Sequence, residues 1–376
     1  MAQVEISGTC PPRFERVRAA FEANFAEGKE LGARFAAALD GEVVIDLMGG
    51  FADRAGEQPF GPDTLTPVFS TTKAVTALML ARLVSQGRLA YATPVAEVWP
   101  QFAQAGKERI TVEQCLSHQD GLAAFLEPID PQLWLDWDGM CAEIAAMAPA
   151  WPPGTASGYH PGTYGYIAGE IFRRVDGRTL GTALREDLAG PLGLDLWIGL
   201  PDSEHARVAQ VQRPPAAPDL GPLTPLKRAA FFEPWSAAPQ KDMGAWRRTE
   251  IPSANGHATA PALARLMAAF ACDGQVGWNE VLAWGTAGAA MAERIHGPDL
   301  VLPFTLSWGA GLLRNTGLHI YGPGEAAAGH SGWGGSCVTA DPDRRLSSAY
   351  VMNRQSPFLI GDPRPVRLIE ALYASL

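Results

Sequence analysis

Val68-Phe69-Ser70-Thr71-Thr72-Lys73-Ala74-Val75-Thr76-Ala77-Leu78-Met79-Leu80-Ala81-Arg82-Leu83-Val84-Ser85-Gln86-Gly87 is the stretch on which the reading of this chain turns. From Thr71 to Gln86 it is apolar on almost every side, interrupted only by Thr72, Lys73, Thr76, Arg82 and Ser85. That pattern predicts a helix buried at the centre of the molecule, ended by Gly87. Ser70 and Lys73 stand three apart and so share one helix face. A serine hydroxyl is a poor nucleophile without a base in reach. A lysine can be that base when burial and a helix N-terminus disfavour its charged form. The helix start also aims backbone N–H groups toward the serine, which suits an oxyanion. This is the one S-x-x-K in the chain. The simpler alternative makes Ser70 a cap and Lys73 a first-turn residue, but a cation there opposes the helix dipole.

Outward from this helix, the N-terminal side reads as a helix over Arg13–Ala26 with Phe14, Val17, Phe21 and Phe25 on one face. A hairpin follows, with apolar runs Ala33–Ala38 and Val43–Leu47 joined by Asp40-Gly41. On the C-terminal side, helices are expected around 111–117, 133–147, 163–175, 179–188 and 259–272. Strand signals return at Leu306–Leu313, Leu318–Tyr321, Gly335–Ala340 and Leu346–Met352, and a helix at Pro365–Leu376. Strands at both ends with helices between them imply an α+β sandwich: an antiparallel sheet from both termini, flanked by helices, with a helical region inserted. The expected division is an α/β domain of residues 1–75 and 290–376 and a mainly helical domain of 76–289, with the active site between them. Seven prolines between Val211 and Gln240 rule out a regular helix or central strand there. That segment is either a surface loop or a lid or wall over a substrate pocket.

Composition excludes several classes. With 47% hydrophobic and 19% charged residues among 376, the chain can build a sizeable core. Forty acidic against thirty basic residues give a net charge of −10, which disfavours nucleic acid. Only five of the basic residues are lysines, so Lys73 is a scarce residue type in an apolar setting. The five cysteines lie at least 26 residues apart, which excludes a C-x-x-C zinc or redox site and suits reduced thiols. No apolar stretch reaches membrane-span length, and Met1–Arg18 lacks the apolar core of a signal peptide. A soluble cytoplasmic protein with no membrane partner is expected. G-x-S-x-G, H-E-x-x-H, the P-loop and a strand-borne G-x-G-x-x-G are all missing, and no two histidines are four apart.

Four segments together resemble the serine β-lactamase-like superfamily, in its class C-related branch that includes the family VIII carboxylesterases. They are Phe69-Ser70-Thr71-Thr72-Lys73; Leu116-Ser117-His118-Gln119-Asp120-Gly121-Leu122; Pro153-Gly154 through Gly158-Tyr159-His160-Pro161 with Tyr164-Gly165-Tyr166; and Gly329-His330-Ser331-Gly332-Trp333-Gly334-Gly335. The resemblance implies Ser70 as acylating nucleophile, Lys73 as its base and Tyr159 as proton relay, with neighbours that lower the tyrosine pKa. It implies an oxyanion hole from the N–H groups of Ser70 and Trp333, the latter on a strand beside the nucleophile helix. His330 and Gly332 would support substrate in the box where the family carries K-T-G or H-x-G. Two departures bear on substrate: Pro161 replaces the asparagine of Y-x-N, and His330 replaces the lysine of K-T-G. His330, neutral or partly charged, is then available to hydrogen-bond Tyr159. The expected activity is hydrolysis of small carboxylic esters through an acyl-enzyme, with acyl transfer as a side reaction and no cofactor or metal. The alternatives are an amide or peptide hydrolase (weak β-lactamase, D-aminopeptidase, oligoamide hydrolase) and a catalytically silent penicillin-binding-like protein.

Overall fold

The computed structural model describes residues 4–239 and 241–376; Met1–Gln3 and Gln240, the last residue of the proline-rich stretch, lie outside it. The hairpin forms as the Asp-Gly signal demands. Strands β2 (Gly32–Leu39) and β3 (Glu42–Gly50) pair through a two-residue turn with Asp40 at φ +51° and Gly41 at φ +82°. β1 (Ile6–Thr9) adds to the outer edge of β3. The C-terminal strands are β4 (Ile295–Pro298), β5 (Thr305–Trp308), β6 (Leu313–Arg314), β7 (Ala328–Ser331), β8 (Cys337–Asp341) and β9 (Leu346–Met352). All join one antiparallel sheet in the order β1-β3-β2-β9-β8-β7-β6-β5-β4. The two chain ends meet where β2 pairs with β9.

Side-chain alternation gives this sheet two apolar faces. Ala33, Phe35 and Ala37 of β2 pack with Phe14, Val17 and Phe21 of α1 (Glu15–Ala26) and its N-terminal turn, and with Leu368 and Leu372 of α5 (Pro363–Tyr373). The opposite face carries Ala36, Val338, Ala340, Ala349 and Val351. It packs against α4 (Ala260–Ala271), a helix rich in alanine that lets the backbones approach closely. Helix α2 (Thr72–Ser85) lies within the core: every residue from Thr72 to Ala81, and Leu83, is buried. It packs on α3 (Thr163–Asp176) and reaches β7. No helix among the described residues is long and apolar enough to cross a membrane.

Four expectations need correction. Leu306–Leu313 is not one strand, since Gly309–Gly311 turns the chain between β5 and β6; Gly311 has φ +88°. Leu318–Tyr321 is not a strand either. The buried Asn315 side chain accepts the Tyr321 N–H at 2.9 Å and donates to the carbonyls of Gly322 and Gly324 at 2.7 and 2.8 Å, winding the segment into turns. The proline-rich stretch does hold a short helix, Pro225–Phe231, because Pro225 occupies the first helical position and Thr224 caps it. Finally, Ser70 precedes α2 in a 3₁₀ turn, Phe69–Thr71.

Candidate active site

The turn that carries Ser70 is pinned from several sides. Ser336 Oγ donates to the Val68 carbonyl at 2.7 Å and lies 3.0 Å from Thr71 Oγ1. Thr72 Oγ1 donates to the Phe69 carbonyl at 2.6 Å and accepts the Gly256 N–H at 2.9 Å. These bonds hold Phe69 at φ +47°, a left-handed conformation that a bulky residue keeps only under constraint.

Lys73 is wholly buried beneath Ser70. Its Nζ is 3.3 Å from Ser70 Oγ and donates to the carbonyls of Ser253 at 2.9 Å and Pro161 at 3.0 Å. It stands 4.8 Å from the centre of the Tyr159 ring. No carboxylate pairs with it among the described residues, and burial pushes its pKa well below the ordinary lysine value. The Pro161 carbonyl thus gives the lysine an acceptor at the position where the family's asparagine is missing.

Tyr159 is buried in the loop before α3. Asp299 fixes that loop, accepting the Tyr159 N–H at 2.9 Å and the Ser157 hydroxyl at 3.0 Å. His118 and Trp308 back the ring, with centroids at 5.0 and 6.0 Å. His118 is itself held by the His160 N–H at 3.2 Å, and His160 Nε2 bonds Asp120. Burial raises the Tyr159 pKa, offset only in part by hydrogen bonding with Ser70. The expected lowering is therefore corrected: Lys73, the cation beside the Tyr159 ring, is itself driven toward its neutral form by the same burial.

His330 is corrected too. Its Nδ1 sits 2.8 Å from the Ser331 carbonyl and so carries the ring proton; Nε2 is buried without a partner. Burial lowers its pKa to about 3, so the imidazole is neutral, and its bond goes to Ser331 rather than Tyr159. The rings of His330 and Tyr159 are 6.1 Å apart.

Trp333 lies not on a strand but in the turn after β7, which is an inner strand of the sheet. The polar groups of this turn are largely committed. Gly332 N–H donates to Ser336, Gly334 N–H to Phe358 and Gly335 N–H to Gly332. Gln355 Nε2 holds the Trp333 carbonyl at 3.3 Å, and Arg364 Nη2 the Gly334 carbonyl at 2.5 Å. The Trp333 N–H has no acceptor among the described residues, and neither has the Ser70 N–H. Gly332 brings the two turns together: a Cβ on it would lie 2.1 Å from Ser336 Oγ and 2.4 Å from the Val68 carbonyl.

Ser70, Tyr159, His330 and Trp333 line a cavity of about 490 Å³. One wall is the proline-rich stretch itself, through Arg213–Pro218 and Ser236–Ala238, so the pocket-wall reading of that segment describes its place in the fold. Among the described residues no cluster of acidic, histidine or cysteine side chains is built to hold a metal.

The family model described as Beta-lactamase matches residues 17–371. The chain belongs to the beta-lactamase family. The esterase/beta-lactamase LipL of Mycobacterium tuberculosis is 34% identical over 95% of this chain and 85% of its own length. A crystal structure of a family VIII carboxylesterase superposes with a TM-score of 0.93 at 41% identity, over 99% of this chain and 100% of that one. A penicillin-binding-protein homologue from Caulobacter crescentus does so with a TM-score of 0.97 at 65% identity, over 99% and 100%. The protein is thus one of the esterase/beta-lactamase-like serine hydrolases.

The structure brings together all six residues singled out in the sequence: Ser70, Lys73, Tyr159, His330, Gly332 and Trp333. Sequence reasoning missed the Ser253 and Pro161 carbonyls on Lys73, and Asp299 behind Tyr159. A backbone carbonyl carries no residue signature, and Asp299 lies 140 positions from its partner.

Proposed function

We propose that this beta-lactamase-family protein is a carboxylesterase that works through a Ser70 acyl-enzyme. The observation that carries the reading is Ser70 Oγ 3.3 Å from a buried lysine with no carboxylate partner among the described residues. Neutral Lys73 takes the Ser70 proton as Oγ attacks the ester carbonyl. The Ser70 and Trp333 N–H groups, which have no acceptor among the described residues, receive the developing oxyanion. Tyr159, a neutral phenol in the resting enzyme, gives its proton to the departing alkoxide and is reprotonated by Lys73. Water, or an alcohol in acyl transfer, then releases the acyl group by the reverse path. The substrate is a small-molecule ester, and no cofactor takes part. Five unpaired thiols suit a reducing, cytoplasmic setting. Intact-mass analysis with a slowly turned-over ester tests the reading: an acyl adduct on the Ser70 peptide supports it, and no adduct favours a silent binding protein.

Esters are expected to exceed cephalosporins in kcat/KM by at least about tenfold. His330 is neutral where the family's box has a lysine, and Pro161 offers no side-chain amide. Losing one charge-assisted contact forfeits about 1.5–3 kcal/mol, or one to two orders of magnitude. His330→Lys is expected to narrow the gap. Cephalosporin turnover equal to that of esters would instead promote the amide-hydrolase alternative.

Gly332→Ala is expected to lower kcat about 10²-fold and to cost about 1–3 kcal/mol of stability. The added methyl forces the Trp333 and Ser70 turns apart, and a displacement of about 1 Å at reacting groups costs rate on that scale. Steady-state kinetics and thermal melting check both parts; unchanged kcat would remove Trp333 from the oxyanion site.

A further inference from the structure

We propose that the ester this site is shaped for is uncharged and bulky, with an apolar acyl or alcohol part of about ten or more non-hydrogen atoms. The proposal rests on the esterase reading above and names the substrate class for it.

Three observations support it. The first is size. A cavity of about 490 Å³ holds on the order of fifteen water-sized groups at roughly 30 Å³ each, far more than an acetyl or methyl group fills. The second is chemistry. Apart from Ser70, Tyr159, Arg213, Ser236, His330 and Ser331, the lining is made of glycine, proline and apolar or aromatic residues such as Trp134, Phe231, Trp246, Ile251, Leu302 and Leu359. Arg213 is the one ionised lining side chain among the described residues, and it is solvent-exposed, so an ionic group deeper inside would lose its hydration without a fixed counter-charge.

The third observation is that the wall is already built. Gln212 N–H donates to the Asn353 carbonyl at 2.7 Å, and Gln355 N–H returns to the Gln212 carbonyl at 2.9 Å, tying the start of the proline-rich stretch to the end of β9. At the other end, Trp134 Nε1 donates to the Trp235 carbonyl at 2.8 Å and Trp235 Nε1 to the Phe125 carbonyl at 2.9 Å. Prolines 214, 215 and 218 stiffen the span between. An apolar substrate part meets a surface that needs little ordering, so most of the gain from burial is kept as binding.

Each methylene moved from water into such a wall increases transition-state binding by about fourfold. The test uses the intact protein and two ester series. One lengthens the acyl chain from methyl acetate to methyl octanoate; the other enlarges the alcohol from ethyl to octyl and benzyl acetate. On the series whose variable part enters the cavity, kcat/KM is expected to rise about 10²-fold over the first four methylenes. A rise on either arm supports the proposal and says which side of the ester the cavity takes. Both arms flat or falling, in an enzyme whose Ser70 is labelled by a fluorophosphonate, overturns the proposal and leaves the esterase reading standing. No label on Ser70 and no turnover of any ester overturns both. Ala237→Phe gives an independent check, because Ala237 lines the cavity and is exposed, so a larger side chain is accommodated without repacking the core. It is expected to reduce the long-to-short kcat/KM ratio at least tenfold, with melting used to verify the fold. An unchanged ratio in the folded variant also overturns the proposal.

Discussion

Ser70→Ala is expected to lower kcat for ester hydrolysis by at least about 10³-fold and to abolish covalent labelling, while the melting temperature stays within a few degrees of wild type. Ser70 Oγ lies 3.3 Å from Lys73 Nζ, and that nitrogen keeps its carbonyl acceptors on Ser253 and Pro161 when the hydroxyl and its hydrogen bonding with Tyr159 are gone. The turn is likewise held by Thr71, Thr72 and Ser336 rather than by Ser70. Removing the nucleophile therefore deletes the covalent step without unpinning the backbone. What remains is catalysis by the oxyanion donors and by binding alone. Ser331 and Ser236 line the same cavity and are the internal controls. An adduct on either of them in the wild type, with Ser70 unmodified, would falsify the assignment.

The second large effect concerns Lys73. Lys73→Arg and Lys73→Met are both expected to reduce kcat by about 10³-fold or more, the arginine variant nearly as severely as the neutral one. Arginine keeps the charge but does not give up its proton in the working range, so it cannot serve as base. The wild-type rate should also show an acid limb. Burial lowers the folded-state pKa of Lys73, and the active form is the neutral amine, so kcat/KM rises with pH through that lowered value, well under the ordinary lysine 10.5. The linkage has the same sign for stability. Between the folded and unfolded pKa values the unfolded chain binds the extra proton, so this group's contribution to stability rises with pH across that window. Tyr159, whose pKa is raised, keeps its proton throughout. Retention of most activity by Lys73→Arg would reduce the lysine to a structural charge and sink the mechanism.

How much of this was legible beforehand differs from element to element. The Asp40-Gly41 hairpin and the strand Leu346–Met352 were readable because turn chemistry and a short apolar run bounded by turn residues are local. Helix α2 was readable because a segment apolar all round has one place to go. Leu318–Tyr321 misled because its side chains suit a strand, while one buried amide, that of Asn315, decides otherwise from outside the segment. Pro225–Phe231 misled because a proline count ignores position, and proline at the first helical residue costs no hydrogen bond.

The sequence by itself determined that the chain folds as a sheet from both termini around a buried helix, because turn chemistry and periodicity are written along the chain; spacing proposed Ser70 and Lys73 as site residues, and the family resemblance added Tyr159, His330, Gly332 and Trp333. The tertiary structure decided their chemical state. Lys73 is driven toward neutrality, Tyr159 keeps its proton and His330 is uncharged because burial removes the water that would stabilise their ions. It also decided that the Trp333 N–H has no acceptor among the described residues while its neighbours are bonded, and that the proline-rich stretch forms a wall rather than a loose loop. Those properties depend on distances between segments up to about 300 residues apart, and hydration and hydrogen-bond satisfaction are set by whatever packs against a group, not by the residues beside it in sequence.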